Sequence, residues 1–288
     1  GNRCDRRHAR LKYLLAERGV DWLREELRRR GGFALRDWRD MDEPVCKDHL
    51  GRHPHDNGRW FYGLAVESGR IKDQCDYRIR SALKKIAEDH RPGFTLTAHQ
   101  NILLTGLSES ALDDVERTLE AHGITPTQEL SGLRRFAMAC PALPTCGLAM
   151  SESERVLPSI LARFETLMES LGMRNEPVSF RMTGCPNGCA RPYTADIALV
   201  GRRVDVYHVY VGGGLSGDRV VDLYAADVHR DDLVDPLRPL LVHWAATRHD
   251  GEGLSDCYQR LLGRAAPRQV ITGKEEPTMP LIQCKLPA

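Results

Sequence analysis

An α+β fold is predicted for this 288-residue chain by two observations. Between Trp60 and Gly123, stretches with apolar residues at every second position give way to stretches with them at every third or fourth, in the order strand, helix, strand, strand, helix. Beyond Leu130, a long amphipathic helix and further strand-like runs accompany four cysteines in two close pairs, CPALPTC and CPNGC. At 41% hydrophobic and 28% charged the chain has the balance of a globular protein, and a net charge of only +1 argues against a non-specific grip on nucleic acid. No apolar run approaches the roughly 20 residues that span a bilayer. The opening GNRCDRRHARLK has no secretory core, so a soluble, cytoplasmic chain without a membrane partner is expected. The first residue is Gly and the opening reads like the middle of a polar loop, as in a fragment or processed product.

The first helix is expected after Asp5 as N-cap, through His8, Leu11 and Leu15 to Gly19. A second starts near Asp21, carries Trp22, Leu23 and Leu27, and stops at Gly31 and Gly32 after Arg28, Arg29 and Arg30. That basic run is read as a solvated helix end, with a partner-docking patch as the alternative. Residues 33–58 have no clear period and look like a connection. RWFYGLAVESG then alternates like a strand, KDQCDYRIRSALKKIAED is helical, FTLTAHQNILLTGL holds two short strands, and SESALDDVERTLEAHG is a helix entered at Ser108. This order makes most of a ferredoxin-like plait, a sheet with helices on one face and the other in need of cover.

In the cysteine-bearing region, SESERVLPSILARFETLMESLG reads as a helix with Ser151 and Glu154 at capping-box spacing and Leu157, Ile160, Leu161, Phe164 and Leu167 on one face. VSFRMTG, TADIALVG and VYHVYVGGG read as strands, and DDLVDPLRPLLVHWAATRH as a helix broken early by Pro236 and Pro239. The proline-rich last twenty or so residues look irregular. Three regions follow: 1–55, the end of one domain and a connection; 56–128, the plait; and 129–288, the cysteine domain with its tail.

Nine cysteines without an export signal read better as thiols and metal ligands than as a disulfide framework. Five residues separate Cys140 from Cys146, Pro141 and Pro144 among them, a wide loop rather than the tight knuckle of a zinc ribbon. Cys185 and Cys189 enclose Pro186, Asn187 and Gly188, of which Asn and Gly tolerate left-handed turns close to a cofactor. Spacing alone favours an iron–sulfur cluster and leaves open a structural zinc or unliganded thiols. The isolated Cys4, Cys46, Cys75, Cys257 and Cys284 read as small hydrophobes or incidental thiols.

At these residues the chain resembles the sulfite and nitrite reductases that contain siroheme and a 4Fe–4S cluster. ACPALPTCGLAMSESER and FRMTGCPNGCARPYTADIALVG look most like the ferredoxin-dependent sulfite reductases, and DRRHARLKYLL, HLGRHPHDNGRWFYGLAVESGRI, LTAHQNILLTGL and HWAATRHDGEG resemble segments of that family in the same order. His99 departs from the Asn usual there. The resemblance implies an α/β siroheme and cluster domain in which Cys140, Cys146, Cys185 and Cys189 ligate the cluster and the Cys189 sulfur is also axial ligand to the siroheme iron. It makes Gln100, Asn101 and Asn187, and more weakly Arg10 and Lys12, candidates for hydrogen bonds to the macrocycle or its carboxylates. Each has a plainer reading, an exposed helix charge for Arg10 and Lys12 and a turn-former for Asn187. Arg181 and Arg191 flank the second pair and could screen cluster charge, with a surface role as the alternative.

The implied reaction is six-electron reduction of sulfite to sulfide, with nitrite reduction or cluster-only electron transfer as alternatives. Its anion-binding Arg and Lys residues lie in the first half of a roughly doubled chain, for which no matching segment is found. The present sequence looks like the second half, with that N-terminal half as a partner and poor activity alone. Ferredoxin is favoured as electron donor over a flavoprotein reductase, although only Arg28–Arg30 and Arg202 with Arg203 offer dense positive charge for an acidic partner.

Overall fold

The computed structural model describes residues 4–5, 8–37 and 47–264. The chain forms two compact units, whose described parts lie within residues 1–45 and 46–267. The first unit holds α1 (Leu11–Arg18) and α2 (Val20–Gly31). Asp5 does not cap α1: its carboxylate takes the His8 Nδ1 at 2.6 Å and its carbonyl the His8 N–H at 3.1 Å, closing a separate turn, and the helix starts after Arg10. Arg28, Arg29 and Arg30 pair along the exposed helix with Glu25 and Glu26, the arrangement of a solvated face.

The second unit begins with a four-stranded antiparallel sheet. Its elements are β1 (Gly51–Pro54), β2 (Trp60–Leu64), α3 (Ile79–His90), β3 (Gly93–Leu96), β4 (Ile102–Leu107) and α4 (Glu109–Ala121), with strand order β1-β2-β4-β3. The helical periods bury Ile79, Ala82, Leu83 and Ile86 on α3 and Leu112, Val115 and Leu119 on α4 against Leu64, Ile102 and Leu104 of the sheet. β1 lies in the stretch expected to be a connection. Gly-Arg-His-Pro has no apolar alternation because this edge strand pairs with β2 alone, Gly51 opposite Gly63 and Pro54 opposite Trp60. The plait's closing strand is thus supplied from before its first strand rather than after its last helix.

The cysteine domain continues through α5 (Gly132–Arg135), β5 (Ala137–Ala139), α6 (Leu157–Ser170), β6 (Phe180–Thr183), β7 (Ile197–Arg203), β8 (Val206–Val211), β9 (Asp222–His229), α7 (Arg238–Thr247) and α8 (Leu254–Leu261). Its sheet runs β5-β6-β7-β8-β9; β5, β6 and β7 are parallel, and β7, β8 and β9 antiparallel. α6 buries Ile160, Leu161, Phe164 and Leu167 in the core that also holds Phe180, Val209 and Trp244, and the Phe164 and Phe180 rings meet edge to face at 5.1 Å. Asp196, buried in this core region, is satisfied by Ser179 Oγ at 2.6 Å, Ser179 N–H at 2.8 Å and Ser255 Oγ at 2.6 Å.

Two helix starts differ from expectation. Ser151 and Glu154 do not box the N-terminus of α6, which begins at Leu157 with Pro158 in its first turn. Ser151 Oγ instead donates to the Tyr207 hydroxyl at 2.6 Å, and Glu154 pairs with Arg70 of the plait unit, so both side chains are drawn into tertiary contacts. Pro239 opens α7 rather than breaking it, because its missing N–H is harmless in a first turn. Among the described residues no helix is long and apolar enough to cross a membrane. The C-terminal tail, Cys46 and Cys284 lie outside the described residues.

Phe164→Ala is expected to cost about 3–5 kcal/mol in urea unfolding, from lost burial and a residual cavity. Glu252, hydrogen-bonded to Arg260, has its carboxyl held down to about 2 from 4.5. A depressed carboxyl stabilises the fold above its unfolded pKa and loses that contribution as pH falls from 4.5 toward 2. Glu252→Gln should therefore lower stability at neutral pH and flatten its loss between pH 4.5 and 2, the variant and the wild type converging below that window in urea unfolding.

Candidate metal centre

Parallel pairing of β5 with β6 places both cysteine loops at one edge of the sheet. Ala139 stands opposite Met182, so the chain leaves β5 into Cys140 and leaves β6 through Gly184 into Cys185 side by side. The Cys140 N–H donates to the Met182 carbonyl at 3.1 Å and extends the ladder by one rung. Gly184 N–H then donates to Cys140 Sγ at 3.3 Å, a backbone donor directed at sulfur. A Cβ on Gly184 would come within 2.5 Å of the Ser151 carbonyl and 2.6 Å of Ala142 Cβ, so only glycine lets the two loops approach this closely.

Residues 149–154 bind both loops from a third direction. Met150 and Ser151 N–H groups donate to the Gly184 carbonyl at 2.8 and 3.0 Å, Glu154 N–H to the Cys140 carbonyl at 3.2 Å, and Ser153 Oγ to the Met182 carbonyl at 2.7 Å. The capping-box spacing concealed this use of Ser151, Ser153 and Glu154; Gly184, immediately before Cys185, was the available signal. Within the first loop Cys146 N–H closes onto the Ala142 carbonyl at 2.7 Å, and Ala142 adopts a left-handed φ of 50°. In the second, Gly188 has φ 69° and Tyr193 Oη donates to the Pro186 carbonyl at 2.9 Å.

Cys140 and Cys185 are buried, Cys146 is half-buried and Cys189 is exposed. Burial pushes the Cys140 thiol up from its ordinary value; the Gly184 N–H works the other way, and the proximity of Cys189 adds to the rise. Among the described residues no three Cys, His, Asp or Glu side chains stand closely enough to hold a single metal ion. The donor set, four thiols on two adjoining loops with an N–H aimed at one sulfur, fits the cluster.

A cavity of about 390 Å³ beside the second loop is lined by His99, Arg181, Arg191, Tyr193, Thr194 and the Leu215–Gly217 segment. Arg181 is buried and its Nη1 donates to the Ala190 carbonyl at 3.5 Å. Burial lowers the His99 pKa, and the guanidiniums of Arg181 and Arg191 lower it further, so its imidazole is neutral at pH 7 beside two cations. A cationic pocket of this kind suits a carboxylate-rich ligand. The VGGG segment was read as a strand end, which concealed the wall that residues 215–217 provide.

Of the amide side chains singled out from sequence, Asn187 is exposed between Cys185 and Cys189. Gln100 is engaged at both ends, Nε2 donating to the Ala139 carbonyl at 2.8 Å and Oε1 accepting the Ala139 N–H at 3.2 Å. Asn101 is buried and its Oδ1 accepts the Val66 N–H at 3.1 Å. Arg10 and Lys12 stand exposed in the N-terminal unit, the Lys12 Nζ 4.8 Å from the Tyr13 ring centroid.

Residues 53–122 match the nitrite/sulfite reductase ferredoxin-like half domain, and residues 133–261 match the nitrite and sulphite reductase 4Fe–4S domain. The chain is similar to the sulfite reductase (NADPH) hemoprotein beta-component of Staphylococcus saprophyticus, at 41% identity over 89% of this chain and 45% of that protein. The same-named protein of Nitrobacter winogradskyi is 39% identical over 89% of this chain and 44% of its own length. The chain thus spans less than half the length of these relatives. Among solved structures, the NirA protein of Mycobacterium tuberculosis superimposes with a TM-score of 0.75 at 26% identity, covering 90% of this chain and 49% of that one. Dissimilatory sulfite reductase I shares the fold, with a TM-score of 0.51 at 14% identity over 77% of this chain and 73% of that one. With a ferredoxin-like half domain leading into a 4Fe–4S domain whose four cysteines share one sheet edge, the chain belongs to the nitrite and sulfite reductase family.

Proposed function

We propose that this chain is the cluster-bearing half of an enzyme that reduces sulfite to hydrogen sulfide with six electrons, using siroheme and a 4Fe–4S cluster. The observation that carries this reading is the convergence of the two cysteine pairs at the ends of β5 and β6, beside a cationic cavity. Cys140, Cys146, Cys185 and Cys189 would hold the cluster, and Cys189, the exposed member, would also be the thiolate offered to the siroheme iron. When bound, the two groups would supply the electrons for reduction of the anion.

The chain's own residues hold and insulate that assembly. Gly184 N–H favours the thiolate form of Cys140, and residues 149–154 keep the two loops from parting as charge changes. Arg181 and Arg191 offset negative charge beside Cys189, and with Asn187 they are donors for the macrocycle's carboxylates. Neutral His99 adds a ring nitrogen to that wall without a third cation.

The names of the relatives favour sulfite over nitrite and weigh toward an NADPH-linked reductase component as electron donor, where the wording of the cysteine segments suggested ferredoxin. The family resemblance puts the anion-binding Arg and Lys residues in the first half of such proteins, and this chain spans 45% of the Staphylococcus saprophyticus relative.

Anaerobic reconstitution with iron, sulfide and siroheme tests the reading. The loaded chain is expected to show a Soret band together with cluster absorption, and Cys140→Ser or Cys185→Ser to reduce bound iron to background. Cys189→Ser should lose the coupling of the two chromophores; an unchanged spectrum, or no tetrapyrrole binding by the wild-type chain supplied with the N-terminal half of a relative, would overturn the assignment. Sulfite-dependent oxidation of reduced methyl viologen by this chain alone should be slow or absent, and robust turnover would contradict a half-site.

A further inference from the structure

The turn between β3 and β4 of the plait unit touches both cysteine loops. It is braced within itself: Thr97 N–H donates to the Asn101 carbonyl at 2.9 Å, and Thr97 Oγ1 accepts the Asn101 N–H at 3.1 Å and the His99 N–H at 3.3 Å. Asn101 Oδ1 anchors it to Val66, and Gln100 sits in the left-handed region at φ 64°. Such a conformation in a non-glycine residue persists where the surroundings over-determine it.

From this turn two contacts reach out. The Gln100 carboxamide, with one donor and one acceptor, pairs with both the C=O and N–H of Ala139, as a further strand would on the open edge of β5. Ala139 directly precedes Cys140. The Ala98 carbonyl accepts Arg191 Nη2 at 2.8 Å, and the same nitrogen lies 3.3 Å from Met138 Sδ on β5. Arg191 follows Cys189 by two residues and has a φ of 56°. One rigid turn of the ferredoxin-like unit therefore holds the residue before the first cysteine and the residue that closes the second loop.

We infer that the Thr97–Asn101 turn is a brace that fixes the separation of the two cysteine pairs, with Gln100 and Arg191 as its positioning residues. In this role neither touches the reacting atoms: Gln100 acts through the backbone that carries Cys140, and Arg191, whose charge also faces the cavity, acts through its hold on the Ala98 carbonyl. Because cluster potentials respond to the position of the ligands and the donors around them, the brace also adjusts the potential of the cluster in the reading above, on which this second part rests.

The test compares Gln100→Met, which keeps length and neutrality but neither hydrogen bond, with Gln100→Glu, which cannot donate to the Ala139 carbonyl, and Arg191→Lys, which keeps charge without the reach. In the metal-free chain, alkylation of Cys140 by iodoacetamide, read by peptide mass spectrometry, should rise at least threefold in all three. Buried Cys257 should stay protected and report an intact fold. In the iron- and sulfide-reconstituted chain, the midpoint of the cluster, followed by EPR, should move by about 59 mV or more in Gln100→Met, a tenfold change in a one-electron equilibrium, with no change of side-chain charge to account for it. Wild-type Cys140 labelling in folded variants overturns the brace. Faster labelling with an unmoved midpoint keeps the brace and removes its influence on potential. A wild-type chain that takes up no cluster overturns the functional reading instead, and the labelling then decides the brace by itself.

Discussion

The parallel pairing of two short strands, β5 and β6, is the constraint on which the rest of this structure depends. Parallel neighbours end at the same edge, so residues 44 or 45 positions apart in sequence, Cys140 with Gly184 and Cys185, emerge together. An antiparallel pair would have sent the two loops to opposite ends of the sheet. Everything that makes the site usable follows from that edge: the rung between Cys140 and Met182, the N–H of Gly184 on sulfur, and the 149–154 segment that threads between both loops.

Close approach at that edge sets a strict demand on side-chain volume. Gly184 is crowded by Ser151 and Ala142, and Gly201 by the Gly184 carbonyl, so the strands and loops interlock with almost no space for a Cβ. The polar groups so enclosed are used: Ser151 Oγ donates to the Tyr207 hydroxyl, Ser153 Oγ to the Met182 carbonyl, and Glu154 meets Arg70 from the plait unit. Stability and cofactor geometry are thereby built from the same contacts. A substitution that loosens the core near β6 should be felt at the thiolates.

The plait unit contributes more than a covered sheet. Its ion pairs and amide contacts, Glu67 with Arg134, Asp48 with Arg135, Gln100 with Ala139 and the Ala98 carbonyl with Arg191, lie along the face it shares with the cysteine domain. Individually exposed pairs contribute little, but several fixed on the same two elements hold them in one register. The cationic cavity sits where this face meets the second cysteine loop, its two cations, Arg181 and Arg191, coming from the cysteine domain and its His99 wall from the plait unit.

Much of this was legible in the chain. Periods of two and 3.6 located β2, α3, β4, α4, α6, β6, β7 and β8, since these elements bury one face or both and their patterns record it. The cysteine pairs were conspicuous because thiols recur at spacings a loop can close. What the pattern could not carry were elements made by pairing rather than burial. β1, β5 and β9 are edge strands, and β5 is only three residues long, with no period to read. The same limit applied to side chains whose roles are set by whatever stands opposite. Ser151 and Glu154 have a helix-cap signature yet bond across the domain, and Gln100 and Asn101 have free-looking amides yet hold backbone. Local sequence determines which residues bury and which turn, because those preferences are properties of the chain within a few residues; which thiol meets which donor was decided only when two strands distant in sequence aligned, since hydrogen bonding across a sheet edge has no record in the residues that precede or follow it.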